Sequence, residues 1–419
     1  MFESYRLKNK AKLILVPLKD TKSVTVLVMY PVGSRYETEK LSGVSHYIEH
    51  LMFKGTKKRK NTFILTREID RLGAHYNAFT GKEYTGYYIK TDARYLKKAA
   101  DILSDMLFNS KFEAQEMERE KQVIVEEIRM YNDNPLMNID NIFESVMYDG
   151  SALGRDIAGT EKHVLNYKRA EVLNYRNKYY QPENQVVVVA GGIDNNTKTV
   201  VEDFFGGHNN AKASSRTFSP FKLGPSAKDK RIVVQEKQTD QAQLMIGFPA
   251  FPRNHKSNPA VAAMNTILGG SMSSRLFIQI RERRGLAYMV RSGVDNFRDT
   301  GYFYVRAGLE TKNINKALGV IDSELEKIVK KGVTKRELKD AKTHIRGSLT
   351  LSLEDSSTQA NWYAGESIFK DKIKTPEEKM TEIDNVSNDD IKAVADKIFK
   401  LNRKRVAVIG NIKKEEIQF

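Results

Sequence analysis

The chain has 419 residues, 40% of them hydrophobic, enough for two or more domains with sizeable cores. It contains no cysteine, which excludes disulfides and thiolate metal sites and leaves histidine and carboxylate as its strong zinc ligands. A formal net charge of +16 raises nucleic acid or an acidic surface as partners, but no motif of the known nucleic-acid folds accompanies it, so charge alone supports that class.

The N-terminal residues Met1 to Arg6 lack an apolar leader core and run into the extended segment Leu13-Ile14-Leu15-Val16. No apolar run approaches the ~20 residues of a membrane span, so a cytoplasmic protein with no membrane and no nucleic-acid partner is expected. The next element is a short helix. Ser42 offers a capping hydroxyl with Gly43 beside it, Val44, Ile48, Leu51 and Met52 form an apolar stripe, and Gly55 provides a left-handed stop. On its other face His46, Glu49 and His50 fall together at i, i+3 and i+4, two imidazoles and a carboxylate on one turn. That order, H-x-x-E-H, is the inverse of the H-E-x-x-H zinc-peptidase motif and is itself a zinc-peptidase signature. Two histidines four apart also occur as a half-buried polar pair. The segment that follows, Lys54 to Lys60 (KGTKKRK), has no interleaved aromatics and reads as a solvated basic loop.

A catalytic zinc needs three protein ligands and an open position, so the histidine pair calls for a third. Glu113 to Tyr131 reads as a helix with the stripe Met117, Ile124, Ile128 and Tyr131, and Glu120 and Glu127 lie inside the same arc. Glu118, Arg119, Gln122, Glu126 and Arg129 point away. Carboxylates that face a core are paired or bind metal, so this placement signals either a metal site or structural salt bridges.

The chain also repeats itself. Thr85 to Lys90, followed by a helix with Leu96, Ala99, Ala100, Leu103 and Leu107, is echoed by Thr300 to Val305 and the helical run Ile314 to Val329. The closing strand Val186 to Gly191 is echoed by Val406 to Gly410. Ala211 to Lys230, rich in Ser, Pro, Gly and Lys, has the composition of a linker, giving domains at 1–213 and 231–419 joined by 214–230. Strands alternating with long amphipathic helices indicate a sheet with helices on one face. In the second half the counterpart of the histidine helix is Ala262 to Leu268, and the counterpart of Glu127 falls near Ser348, so that domain is expected to be metal-free. Its Gly269 to Leu276 turn lacks the spacing of a phosphate loop. Arg281 and Tyr288 follow, seven apart and on one side of a helix if it continues through Gly285.

Taken together, H-x-x-E-H, the long gap, and Glu127 with Glu120 seven positions before it resemble the pitrilysin-type metallopeptidases with the inverted zinc motif, in the mitochondrial-processing-peptidase-like branch. The similarity extends to Asn77-Ala78-Phe79-Thr80 and to Arg281 and Tyr288, and so covers nearly the whole chain. The resemblance implies one Zn2+ per chain on His46, His50 and Glu127, with Glu49 as general base and Glu120 orienting a ligand. It implies that Asn77, Ala78, Phe79 and Thr80 form an edge strand that takes up peptide substrate, and that Arg281 and Tyr288 contact the substrate near the zinc. The implied fold is α+β, two similar domains, each a largely antiparallel sheet under helices. The implied activity is that of a zinc endopeptidase acting on short or unfolded peptides inside a closed chamber. A homodimer, or a heterodimer with a related chain, would complete that chamber. A non-catalytic peptide-binding subunit is the alternative that the same resemblance carries.

Overall fold

The computed structural model describes residues 2–208, 217–222, 224 and 228–418. Six strands form the first sheet: β1 (Glu3–Arg6), β2 (Lys12–Pro17), β3 (Ser23–Tyr30), β4 (His75–Thr80), β5 (Thr85–Asp92) and β6 (Val186–Gly191), in the order β1-β2-β6-β3-β5-β4. Five form the second: β7 (Ile232–Glu236), β8 (Ala242–Ala250), β9 (Ala287–Asn296), β10 (Gly301–Leu309) and β11 (Arg405–Gly410), in the order β7-β11-β8-β10-β9. Leaving out β1, the two orders correspond strand for strand. All pairings are antiparallel except β2 with β6 and β7 with β11, which are parallel at equivalent places. The fold is α+β with two similar domains, and the repeat seen in the sequence is a repeat of topology.

The central strands explain their own composition. Along β3, Val24, Val26 and Val28 enter one core while Leu27 and Met29 enter another, so a strand covered on both faces reads as an apolar run from Val26 to Tyr30. In the first unit the helices Val44–Leu51, Leu96–Asn109 and Arg169–Tyr179 supply the larger core on one face. The opposite face is covered by a helix from far along the chain, Ser356–Phe369, whose Ala360, Tyr363 and Ala364 pack on Ile14, Val16, Leu27, Met29 and Val188. Small residues at i and i+4 let that helix lie close to the sheet. The second unit repeats the scheme. The helix Pro135–Met147 packs Ile139, Phe143 and Met147 against Met245, Tyr302, Ala407 and Ile409.

The units defined by packing are therefore interleaved in sequence: Met1–Ile128, Arg155–Phe218 and Leu351–Ile373 form one, and Arg129–Gly154, Ser219–Thr350 and Lys374–Phe419 the other. This differs from the linear division at 1–213 and 231–419, because each sheet takes the cover for its second face from the other half of the sequence. It also adds to the expected single helical layer one helix on the opposite face of each sheet. Within the linker 214–230, residues 214–216, 223 and 225–227 lie outside the described residues, as does position 213. Phe143 is fully buried, and its ring lies where a Cβ on Gly247 would stand, 2.5 Å from Phe143 Cζ. Phe143→Ala is expected to cost about 3–5 kcal/mol, read as a lower denaturant midpoint. A loss below about 1 kcal/mol would mean the helix contributes little to its sheet. Among the described residues, no helix is long and apolar enough to cross a membrane.

Candidate metal centre

Val44, Tyr47, Ile48 and Leu51 anchor the histidine helix in the first core, and Tyr47 Oη donates to the Met117 carbonyl at 2.6 Å. The helix does not start on a Ser42 hydroxyl, as its sequence suggests. Gly43 holds φ +94°, where a Cβ would stand 2.3 Å from the Ala158 carbonyl oxygen. The cap is instead the Glu37 carboxylate, which accepts from Gly43 N–H and Ser45 N–H, both at 2.7 Å. Burial raises the Glu37 carboxyl to about 7, and these two N–H groups act against that rise. Glu37→Ala leaves the helix start unsatisfied and is expected to cost about 1–3 kcal/mol, measured as a lower melting temperature of the metal-free chain. An unchanged melting temperature would show that water replaces the cap without loss.

His46, Glu49 and His50 emerge together on the other side of this helix, each partly exposed. The glutamates come from the helix Ala114–Asp133, in which Glu118, Arg119, Gln122, Glu126 and Arg129 are exposed while Glu120 is 3% exposed. His46 Nε2 and His50 Nε2 lie 3.2 Å apart, and Glu127 Oε2 lies 3.7 Å from the first and 3.5 Å from the second. Donors bonded tetrahedrally to zinc at 2.0–2.1 Å stand about 3.4 Å from one another, so these three atoms have the spacing of a zinc face. Beside them, Glu120 Oε1 meets His50 Nδ1 at 2.8 Å and Glu120 Oε2 meets Lys54 Nζ at 2.5 Å. Thr80 Oγ1 donates to Glu49 Oε2 at 2.5 Å.

The electrostatics follow from partial burial among like and unlike charges. Burial, then the neighbouring His50, lowers His46 to about 3, which keeps it neutral and able to ligate at physiological pH. Burial also acts to lower His50, but the Glu120 bond and the charges of Glu127, Glu120 and Glu49 leave it raised. Burial raises both Glu49 and Glu127. For Glu120 burial is outweighed by the bonds from His50 and Lys54, and its carboxyl sits below the ordinary range.

Of the other residues singled out by sequence, Asn77, Ala78, Phe79 and Thr80 lie on β4, which among the described residues pairs only with β5 and forms the edge of its sheet. Arg281 and Tyr288 belong to the second unit and do not share a helix. The helix Phe277–Glu282 ends before Gly285 (φ +57°), and Tyr288 stands on β9, 75% exposed, with the Arg281 guanidinium 4.7 Å from its ring centroid. The basic segment 54–60 is not simply solvated. Arg59 is buried and reaches Asp105 at 2.9 Å, Asp101 at 2.6 Å and Glu68 at 3.0 Å, and Lys54 is the partner of Glu120. A charge run gives no sign of which members turn inward. The cap Glu37 was equally silent in the sequence, since it acts from outside the helix it caps.

The chain is similar to known proteins along most of its length. A family model described as insulinase (peptidase family M16) matches residues 13–161, and one described as the peptidase M16 inactive domain matches residues 166–345. A Bacillus subtilis protein named uncharacterized zinc protease YmxG is 33% identical over 95% of this chain and 96% of its own. A Streptomyces coelicolor protein named uncharacterized zinc protease SCO5738 is 33% identical over 97% of this chain and 88% of its own. The crystal structure of a protease from Helicobacter pylori superposes with a TM-score of 0.90 at 25% identity, covering 98% of this chain and 99% of that one.

Proposed function

The chain belongs to the M16 (insulinase) family of peptidases and is a zinc peptidase, and from that premise we propose that it is an endopeptidase cleaving short or unfolded peptides. The observation that carries this reading is the triangle of His46 Nε2, His50 Nε2 and Glu127 Oε2, all within 4.8 Å, with Glu49 beside it. His46, His50 and Glu127 would hold the metal, and zinc there supplies a Lewis acid that polarises a carbonyl and brings a water's pKa towards ~7. Glu49 then takes the proton of the attacking water and returns it to the leaving amine. The Thr80 hydroxyl keeps the Glu49 carboxylate turned to that task. The free edge of β4, Asn77 to Thr80, offers backbone N–H and C=O groups to an extended peptide, a mode that reads backbone more than side chains. Arg281 and Tyr288 steady the substrate backbone.

The deciding experiment measures zinc content together with turnover of a quenched peptide library. One zinc per chain, cleavage at internal bonds, loss with a chelator and return with added zinc are expected. Zinc binding without turnover would instead favour a peptide-binding subunit with no catalysis of its own, and removal of terminal residues only would overturn the endopeptidase assignment. The same reading places the protein in the cytoplasm as a homodimer, in which Arg281 and Tyr288 of one copy serve the zinc site of the other and the two copies enclose the substrate. Co-expressed Glu49→Gln and Arg281→Ala chains should then recover about a quarter of wild-type activity at random pairing. Mixed dimers with no recovery would place the pair within its own chain or outside catalysis.

A further inference from the structure

Directly after the histidine helix the chain turns at Gly55, whose φ of +119° and closeness to Lys60 leave no room for a side chain, a Cβ there standing 2.7 Å from the Lys60 carbonyl oxygen. The loop beyond is pinned. Thr56 N–H donates to the Arg59 carbonyl at 2.7 Å, Lys57 N–H to the Asn109 carbonyl at 3.1 Å, and buried Arg59 joins three carboxylates. The fixed loop presents Lys54 to Glu120, and Glu120 spans the gap to His50. For His50 Nε2 to offer a lone pair to a metal, its proton must sit on Nδ1, where Glu120 Oε1 accepts it at 2.8 Å. No such support exists on the other imidazole, because His46 Nδ1 is buried and meets no hydrogen-bond partner among the described residues. Hydrogen-bonded orientation within the pair therefore falls on His50 alone, and it comes from Glu120. A carboxylate this buried is costly to hold without a counter-charge.

We infer that Lys54 is a positioning residue of the zinc site: it clamps Glu120, and through Glu120 it fixes the ring of His50 with Nε2 turned to the metal. The inference rests on His46, His50 and Glu127 being the ligands. Its test is the zinc affinity of the full chain, measured by competition with a chelator. Lys54→Met should bind zinc about tenfold more weakly, the scale of losing an outer-shell partner, whereas Lys54→Arg, which keeps charge and donors, should stay close to wild type. In a Glu120→Gln background, Lys54→Met should add almost nothing, because the route from Lys54 to His50 is already cut. A general structural role would instead lower the melting temperature of the metal-free chain and add its loss in the double variant. Unchanged zinc affinity in Lys54→Met, additive losses in the double variant, or a Lys54→Arg as weak as Lys54→Met would overturn the inference. Should Lys54→Met fold poorly, Lys54→Gln, which keeps polarity and loses the charge, carries the same expectation. A wild-type chain that holds no zinc would fail the ligand reading itself, a result distinct from any of these.

Discussion

Glu49→Gln should lower peptide turnover by ~10² or more while zinc remains at one per chain. Glu49 shares a helical turn with both histidines, yet its carboxylate is engaged by the Thr80 hydroxyl, and the three atoms with zinc spacing come from His46, His50 and Glu127. Glutamine has nearly the same shape and still accepts from Thr80, so the helix and the metal donors should stay in place. What it lacks is the capacity to carry a proton. In the metal-free chain burial raises the Glu49 carboxyl, and the Thr80 hydroxyl acts against that rise. Zinc content by atomic absorption, read beside turnover, separates the two effects. If Glu49→Gln loses zinc as fully as His50→Ala, Glu49 is a ligand and the assignment of the base is wrong.

The parts of this site that were legible in the sequence are the parts set by one local period. His46, Glu49 and His50 meet because 3.6 residues make a turn, and Glu120 and Glu127 face the same way because they are two turns apart on one amphipathic helix. Part of the repeat was legible too, in the echoes of Thr85 to Lys90 and of Val186 to Gly191, whereas the correspondence of the remaining strands needed the sheet orders. Lys54 and Arg59 were not, because a basic loop carries no period and only tertiary partners decide which of its charges are buried. Nor was the exchange of helices. The sequence does not single out Pro135–Met147 or Ser356–Phe369, and amphipathicity says that a face is buried and not which sheet buries it. The apolar runs Val26 to Tyr30 of β3 and Val186 to Ala190 of β6 did contain that information in part, because a strand segment with no polar face must be covered twice.

Glu127→Gln and Glu120→Gln, though the two glutamates lie seven apart on one helix, should separate cleanly on zinc. Glu127 Oε2 is the one anionic atom of the triangle, 3.7 and 3.5 Å from the two imidazole nitrogens, so its replacement by an amide removes charge and a strong donor at once. Glu127→Gln should therefore come through dialysis without zinc, and adding zinc should not raise its melting temperature. Glu120 stands one shell further out, on His50 Nδ1, and an amide oxygen there still accepts the ring proton although it no longer balances Lys54. Its loss should weaken zinc by ~10–100-fold. Because a ligand stabilises the fold by RT ln(1 + [L]/Kd), each tenfold weakening removes about 1.4 kcal/mol of the stabilisation that a given free zinc concentration provides. Melting curves across a zinc titration should thus shift for the wild type, shift less for Glu120→Gln at equal zinc, and stay flat for Glu127→Gln. The opposite ranking, with Glu120→Gln flat and Glu127→Gln responsive, would exchange the two roles and make the buried carboxylate the ligand.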